Sequence, residues 1–362
     1  MSNKLEEARR IINEVDAQMA ELFVRRMHAA EMVYEHKKEW GLPILDKERE
    51  AAVIAQNVAL VEEEALKGYY TDFLTQVMAV SRAYQYRLQN GLRVAYSGVE
   101  GAFAHIAAGR IFPESERVAC GDFKAAYNAV VNGECDVAVL PIENSYAGEV
   151  GKTIDLIFSG NLYINGIYEL EIHQNLLGMP DATIEDIQTV TSHPQALSQC
   201  HEYIKAKGFD TEQANNTALA AKRVAESGDK SLGAIASVET AQIFGLKVLE
   251  SNVNKSNENT TRFAVVSKVK ATTPALSNAV LMFTVKNEAG SLAAAVDIIG
   301  RYGYNMTALR SHPLKKQSWQ YYFYVEIDGS VDTENGKNMM EELGTVCDKL
   351  KVAGTFAPHS EI

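Results

Sequence analysis

Cysteine is scarce in this sequence. Cys120, Cys135, Cys200 and Cys347 are the only four in 362 residues, no two are close, and none forms a CxxC pair. That spacing argues against a disulfide framework or a thiolate metal site and points to a reducing, cytoplasmic setting. Long apolar runs are also missing: none approaches the ~18–20 residues a membrane-spanning helix needs. The N-terminus, MSNKLEEARR, is charged from residue 4 and so is unlike a secretory signal. Basic residues are in deficit, 35 Lys+Arg against 47 Asp+Glu, for a formal charge of −12. A nucleic acid or an anionic membrane surface is therefore a poor partner, and an anionic substrate would require locally concentrated cations. No repeat or low-complexity tract is present.

What is present is ordinary globular composition, 46% hydrophobic and 23% charged, at a length that suggests two or three domains. Residues 4–39 lack Pro and Gly, and apolar residues recur at helical spacing from Leu5 to Tyr34, which predicts one long amphipathic helix. Trp40-Gly41-Leu42-Pro43 ends it. Asp46 suits the N-cap of a second helix over about 47–66, Gly68 breaks that, and a third runs from about 70 to 89. Residues 1–90 thus read as an all-helical domain. From 91 to 268 short apolar runs alternate with amphipathic helices, an α/β pattern, and the strand-like run Leu162–Leu177 suits a passage from one lobe to another. Residues 268–278 read as a linker. Residues 278–362 follow in β-α-β-β-α-β order, the ferredoxin-like unit.

Three sets of residues carry candidate chemistry. On the first helix, Arg26 and Lys37 are eleven residues apart, within about 20° of one face and ~16 Å along the axis, so both reach one small ligand. Arg9 is ~42 Å from Lys37 on a straight helix and would have to come from a second, antiparallel chain. Asp46, Arg49 and Glu50 share a face of the second helix, as do Ser81 and Gln85 on the third. A solvated, ion-paired surface explains these spacings equally well on their own.

The second set follows apolar strands. Asp136–Leu140 runs into Pro141, then Glu143, Asn144 and Ser145, beyond a strand's carboxyl end, where open α/β sheets bind ligands. Ser192 and Gln195 flank His193-Pro194 at a helix start, Thr217 opens another helix, and Ser237 closes a GAIAS strand. Thr261, Arg262 and Phe263 open the last strand of the region. The third set is Gly290, Ser291 and Leu292 at a helix start, with Arg310, Ser311 and His312 at a strand end.

The first set, R9…R26…K37…D46-x-x-R49-E50…S81-x-x-x-Q85, resembles the all-helical chorismate mutase family. A simple offset at the third helix would select Arg82 and Tyr86; a one-residue shift restores Ser81 and Gln85. The resemblance implies an intertwined dimer of three-helix chains that rearranges chorismate to prephenate by clamping a dicarboxylate, with no nucleophile or cofactor. In it the arginines bind carboxylates, Lys37 and Gln85 reach the ether oxygen, and Asp46 and Glu50 hold the hydroxyl side.

PIENS, SHPQAL, NNTALAA, GAIAS and TRF together resemble the prephenate dehydratase family. That implies a two-lobed fold, like periplasmic binding proteins, that turns prephenate into phenylpyruvate. Thr261 would protonate the departing hydroxyl beside Arg262 and Phe263, and Glu143, Asn144, Ser145, Ser192, Gln195, Thr217 and Ser237 would bind substrate. Ala102 and Ala104 stand where that family often has hydroxyls. Gly98–Phe103 lacks the GxGxxG spacing of a dinucleotide site, which argues against an NAD-dependent dehydrogenase partner for the mutase.

The third set resembles the ACT regulatory module, with GSLA for the commoner GALV and RSHP for ESRP. It implies L-phenylalanine bound at Gly290, Ser291, Leu292, Arg310, Ser311 and His312. The joint expectation is a bifunctional, feedback-regulated enzyme of phenylalanine biosynthesis without metal or cofactor, a homodimer or homotetramer. A ligand-sensing binding protein with silent sites is the rival class.

Overall fold

The structure, a computed structural model, describes residues 3–254, 259–271, 277–314, 320–358 and 360–362. They divide into two compact units, one up to Leu92 and one from Arg93 to Ile362. Among these residues no helix is long and apolar enough to cross a membrane.

The first unit is three helices: α1 (Asn3–Glu39), α2 (Lys47–Val58) and α3 (Glu64–Asn90). Asp46 caps α2 by accepting from the Arg49 N–H at 2.9 Å. The break between α2 and α3 falls at residues 59–63, not at Gly68, which lies inside α3. A helical glycine costs only about 1 kcal/mol, and the acidic run Glu62-Glu63-Glu64 favours a helix N-terminus at that point. α1 packs on α3 through its C-terminal third, where Ala30 and Tyr34 are buried, while every residue from 4 to 25 is exposed.

The second unit runs β1 (Arg93–Ser97), α4 (Phe103–Ile111), β2 (Glu116–Cys120), α5 (Phe123–Val131), β3 (Val137–Asn144), β4 (Gly148–Glu149), α6 (Gly151–Ser159) and β5 (Tyr163–Glu171). It continues with β6 (Asn175–Gly178), β7 (Thr189–Ser192), α7 (Pro194–Gln199), α8 (His201–Lys207), β8 (Asp210–Gln213), α9 (Thr217–Ser227), β9 (Leu232–Ala236), α10 (Val238–Phe244), β10 (Lys247–Glu250) and β11 (Thr260–Ser267). The C-terminal part is β12 (Asn278–Thr284), α11 (Ser291–Arg301), β13 (Asn305–Pro313), β14 (Tyr321–Asp328), α12 (Glu334–Val346), β15 (Lys349–Phe356) and β16 (Ser360–Glu361).

The sheets divide as the α/β pattern predicts. One lobe carries β5-β11-β3-β1-β2, the other β10-β6-β9-β7-β8. The chain crosses between β5 and β6 and returns between β10 and β11, so the run Leu162–Leu177 does carry it from lobe to lobe. Strands β12 to β15 form the ferredoxin-like sheet in the order β13-β14-β12-β15. Its two faces differ by strand alternation. Leu281, Phe283 and Val325 pack under α11 and α12. Val280, Met282, Tyr322 and Tyr324 enter one core with Leu140, Ile154 and Ile157 of the first lobe. β15 meets β5 at Gly354 and Ile164, where a side chain at 354 would collide with the Ile164 carbonyl. Of the 268–278 linker, residues 272–276 lie outside the described set.

Candidate functional sites

In the first unit a cavity of about 250 Å³ is lined by Arg26, Lys37, Asp46, Arg49, Glu50, Ser81, Arg82 and Gln85. Small-molecule sites run to roughly 300–1,000 Å³ for drug-sized ligands, so this one suits something smaller. Seven of the eight positions picked from the sequence thus share one pocket. Arg9 does not line it, as the length of α1 dictates.

The pocket's groups are held in place. The Arg26 guanidinium donates to the Ser81 hydroxyl and, at 3.2 Å, to the Met78 thioether, and burial lowers its pKa. Lys37 Nζ donates to the Ile44 carbonyl at 2.5 Å. Arg82, the position that the simple offset at the third helix selects, also lines the pocket and pairs with Glu50, whereas Tyr86 is exposed. Gln85 is 7% exposed; its Nε2 donates weakly to Ser81 O at 3.4 Å, and its Oε1 has no partner. A buried amide with an idle atom in a cation-lined pocket is equipped to meet a polar ligand atom.

The second site lies where the two lobes meet. Asn144, at the end of β3, is 8% exposed and central to it. Its Nδ2 lies 2.9 Å from Thr261 Oγ1, 2.9 Å from Asn259 Oδ1 and 3.2 Å from the Thr260 carbonyl. Its Oδ1 accepts from the N–H groups of Tyr146 and Ala147 at 3.1 and 2.9 Å, and from Gln195 Nε2 of the other lobe at 3.1 Å. Ser145 exchanges bonds with Thr260: N to O at 2.9 Å, and Oγ accepting from N at 3.0 Å. Asn259 Nδ2 donates to Gln199 Oε1 at 3.0 Å. Asn259 and Gln199 were missed in the sequence; the polar run 252–259 was the only signal and reads simply as a loop.

Several expected site residues are placed differently. Ser192 is fully buried and donates to Ile235 O at 2.6 Å, inside its own lobe. Ser237 caps α10, accepting from the Thr240 N–H at 3.1 Å. Thr217 is the first residue of α9 and is buried, with the capping done by Asn216. Phe263 is 1% exposed, a core side chain. Ala102 sits before α4 with no side-chain cap and lines a trough of about 1520 Å³ with Ser97, Gly98 and Asn216. Ala104 is buried.

Arg262 and Glu143 require a correction. On the antiparallel pair β3/β11, Thr261 faces Asn144 and Arg262 faces Glu143. Neighbours along a strand point to opposite faces. So Thr261 and Asn144 face the junction with the other lobe, where Asn144 meets Gln195, while Arg262 and Glu143 point away from it, towards the C-terminal sheet. There Arg262 grips Glu326 with Nη1–Oε1 at 3.0 Å and Nη2–Oε2 at 2.8 Å, and Glu143 at 3.2 Å.

The same alternation divides the third set. Ser311 opposes Phe323, whose ring packs under the helices, as does Leu292. Gly290 precedes α11 with φ 87°, a left-handed conformation natural to glycine, and Ser291 begins the helix. Arg310 and His312 oppose Tyr324 and Tyr322 on the other face and bind the first lobe instead. Arg310 contacts Glu143 at 2.5 Å and Glu149 at 2.6 Å; His312 lies 3.2 Å from Glu149 and stacks on Tyr322.

A helical unit with a cation-rich pocket, joined to a two-lobed α/β unit with a polar hydrogen-bond network where its lobes meet, defines a protein with two candidate small-molecule sites. The prephenate dehydratase family matches residues 94–271, and chorismate mutase type II matches residues 8–86. An Aquifex aeolicus protein named bifunctional chorismate mutase/prephenate dehydratase is 29% identical over 98% of each chain. Arogenate dehydratase 2 of Petunia hybrida is 34% identical over 75% of this chain and 73% of its own. A prephenate dehydratase structure from Arthrobacter aurescens superposes with a TM-score of 0.68 at 24% identity, over 74% of this chain and 90% of that one. The chain belongs to the bifunctional chorismate mutase/prephenate dehydratase family, with a mutase domain and a dehydratase domain in one polypeptide.

Proposed function

We propose that the chain rearranges chorismate to prephenate in the helical pocket, converts prephenate to phenylpyruvate in the cleft, and is restrained by L-phenylalanine at the C-terminal unit. The observation that carries the first step is the one small cavity shared by Arg26, Lys37, Arg49 and the buried Gln85, whose donor Nε2 makes only a long 3.4 Å bond within the chain. Guanidinium groups bind carboxylates in two-point fashion. Lys37 and Gln85 then stabilise charge developing on the ether oxygen, which speeds a pericyclic step that needs no acid or base.

The exposed stretch 4–25 of α1 carries Leu5, Ile12, Val15, Met19 and Leu22, an apolar stripe without cover in its own unit. A second antiparallel copy covers it and supplies Arg9. For the partner's Arg9 to reach the level of Arg26–Lys37, the two-fold axis crosses α1 about midway, near residue 20. Met19, Leu22 and Phe23, all exposed, sit there.

In the cleft, Asn144 donates to Thr261 Oγ1, so the Thr261 proton is directed elsewhere, towards the substrate. Decarboxylation sends an electron pair into the ring and expels the hydroxyl, which leaves as water with that proton. The mutase on the same chain produces prephenate, which favours prephenate over the arogenate named for the plant relative. The Arthrobacter prephenate dehydratase is in complex with L-Phe, which supports phenylalanine as the regulator. In support, Ser311 opposes Phe323 on the face that α11 and α12 cover and Gly290, Ser291 and Leu292 open α11, whereas Arg310 and His312 lie on the other face.

The deciding experiment gives purified protein chorismate without NAD. Phenylpyruvate is the expected product. Prephenate alone would refute the cleft reading, and no conversion of chorismate, nor of prephenate supplied separately, would refute both catalytic readings in favour of a binding protein.

A further inference from the structure

We infer that Glu326 and Arg310, from the C-terminal sheet, are positioning residues for the dehydratase step: through Arg262 and Glu143 they hold β3 and β11 in the register that brings Asn144 to Thr261. This rests on the reading of Thr261 as the proton donor.

The strand pair needs such a hold. Its register shifts between Arg262 and Phe263, whose partners are Glu143 and Pro141, so Ile142 is the extra residue of a bulge. Pro141 has no N–H to give the ladder. A bulge re-aims the residues beyond it, here Asn144 and Thr261. The β3–β11 ladder is thus interrupted one residue from the place where the site demands accuracy.

The ion cluster supplies what the ladder lacks. Glu326 is 3% exposed and meets Arg262 through two parallel bonds, a geometry that fixes direction as well as distance. Tyr324 Oη donates to Glu326 Oε1 at 2.6 Å. Glu169 of β5, the other cross-strand neighbour of Arg262, lies 3.6 Å from its Nε. Burial works against the charge on Arg262, but the hydrogen bonds and field of Glu326 outweigh it and the pKa is raised; Glu326, likewise opposed by burial, is held low by Arg262.

Arg310 does a second job. Glu143 and Glu149 oppose each other directly on β3 and β4, a like-charge pair that would push the strands apart. Arg310 sits against both, 2.5 and 2.6 Å away. The residue that departs from the usual ESRP pattern is thus matched to two carboxylates of the dehydratase lobe. None of Glu326, Arg310 or Glu149 bonds to Asn144 or Thr261, so any effect on turnover passes through the strand pair.

The test uses the full chain, with prephenate supplied and both reactions assayed on each preparation. Glu326→Gln and Arg310→Gln are expected to lower dehydratase kcat on the order of 10²-fold, the cost of a misplacement of about 1 Å. KM stays within about threefold, and mutase turnover stays at the parent's level. A rise in KM with kcat intact would overturn the inference by making these residues substrate ligands. Because a lone buried charge also threatens folding, the paired variant Arg262→Met/Glu326→Leu serves as the second arm, since apolar pairs commonly replace buried ion pairs without loss of stability. The expected result is a folded protein, by thermal unfolding, with slow dehydratase turnover. Parent-like kcat in that folded pair would overturn the inference. Thr261→Ala separates the premise: if it abolishes turnover while Glu326→Gln does not, positioning is wrong and the proton-donor reading stands. If Thr261→Ala turns over normally, that reading fails and takes the inference with it.

Discussion

Replacing Asn144 with Ala tests the cleft most directly. Among the described residues, Asn144 is the side chain that bonds at once to Thr261, to Asn259 and, across the lobes, to Gln195. Six neighbours lie within bonding distance, but the amide has two N–H groups, so Asn259, Thr261 and Thr260 O share two donors. Truncation leaves Asn259 Oδ1, itself buried, without that donor, and the Tyr146 and Ala147 N–H groups without an acceptor. Each buried group so orphaned costs roughly 1–3 kcal/mol, and water reaches the less buried ones. A total of about 2–4 kcal/mol is expected. For a unit of this size that lowers Tm by about 4–16 °C, at 2–4 °C per kcal/mol. Dehydratase turnover should fall with it, because Thr261 loses the donor that orients its hydroxyl. The assay is calorimetry in parallel with phenylpyruvate formation from prephenate, with mutase activity as the internal control. A folded Asn144→Ala protein within about 1 kcal/mol of the parent, turning over prephenate normally, would refute the reasoning. Asn144→Asp sharpens the test: it keeps the shape, but its second oxygen faces Asn259 Oδ1 and Thr260 O as acceptor against acceptor, so it should rescue little.

Further outcomes are expected. Lys37→Ala should remove mutase turnover and spare the dehydratase on supplied prephenate; a near-normal mutase rate would dissociate Lys37 from the site. Arg9→Ala and Lys37→Ala chains, each inactive as mutase, should regain about a quarter of the parent activity when mixed and reassociated, since half the dimers are mixed and each has one intact site; no regain would refute the shared pocket. Gly354→Ala should destabilise the second unit, read as a lower Tm, because its Cβ meets the Ile164 carbonyl; an unchanged Tm would show the β15–β5 seam to be pliable. Glu326, whose pKa is depressed in the fold by Arg262, adds stability that is complete above the unfolded carboxylate value near 4.3 and is lost as pH falls below it. The unfolding free energy of Glu326→Gln should therefore fall less steeply from pH 5 to 3 than the parent's.

Much of this was legible in the sequence because the relevant physics is local. Helical rise and turn angle put Arg26 and Lys37 together and Arg9 out of reach, and the structure has them so. Asp46 before a helix reads as a cap and is one. The switch from helical spacing to alternating short apolar runs marks residue 91, and the compact units divide at 92/93. The lobe crossing at 162–177 follows from a run too long for one strand. Gly68 does not end a helix because a glycine's intrinsic cost is small beside the acidic run that sets the start of α3.

The facing of side chains at strand ends was only half legible. Thr261-Arg262 and Glu143-Asn144 are adjacent pairs, so alternation already forbids all four from addressing one cleft. Which member of each pair faces the other lobe, however, is decided by where the C-terminal sheet packs, more than 40 residues later in the chain. Glu326 and Arg310 claim Arg262 and Glu143 there, because a buried charge is tolerated only with partners at hydrogen-bond distance. In the same way Ser192 reads as a ligand until the fold gives its hydroxyl to Ile235 O. Periodicity and spacing determined the helices and the alternation of strand with helix, and family resemblance singled out the candidate residues. Only the tertiary structure decided which of them point into the sites, since that depends on contacts between segments far apart in sequence.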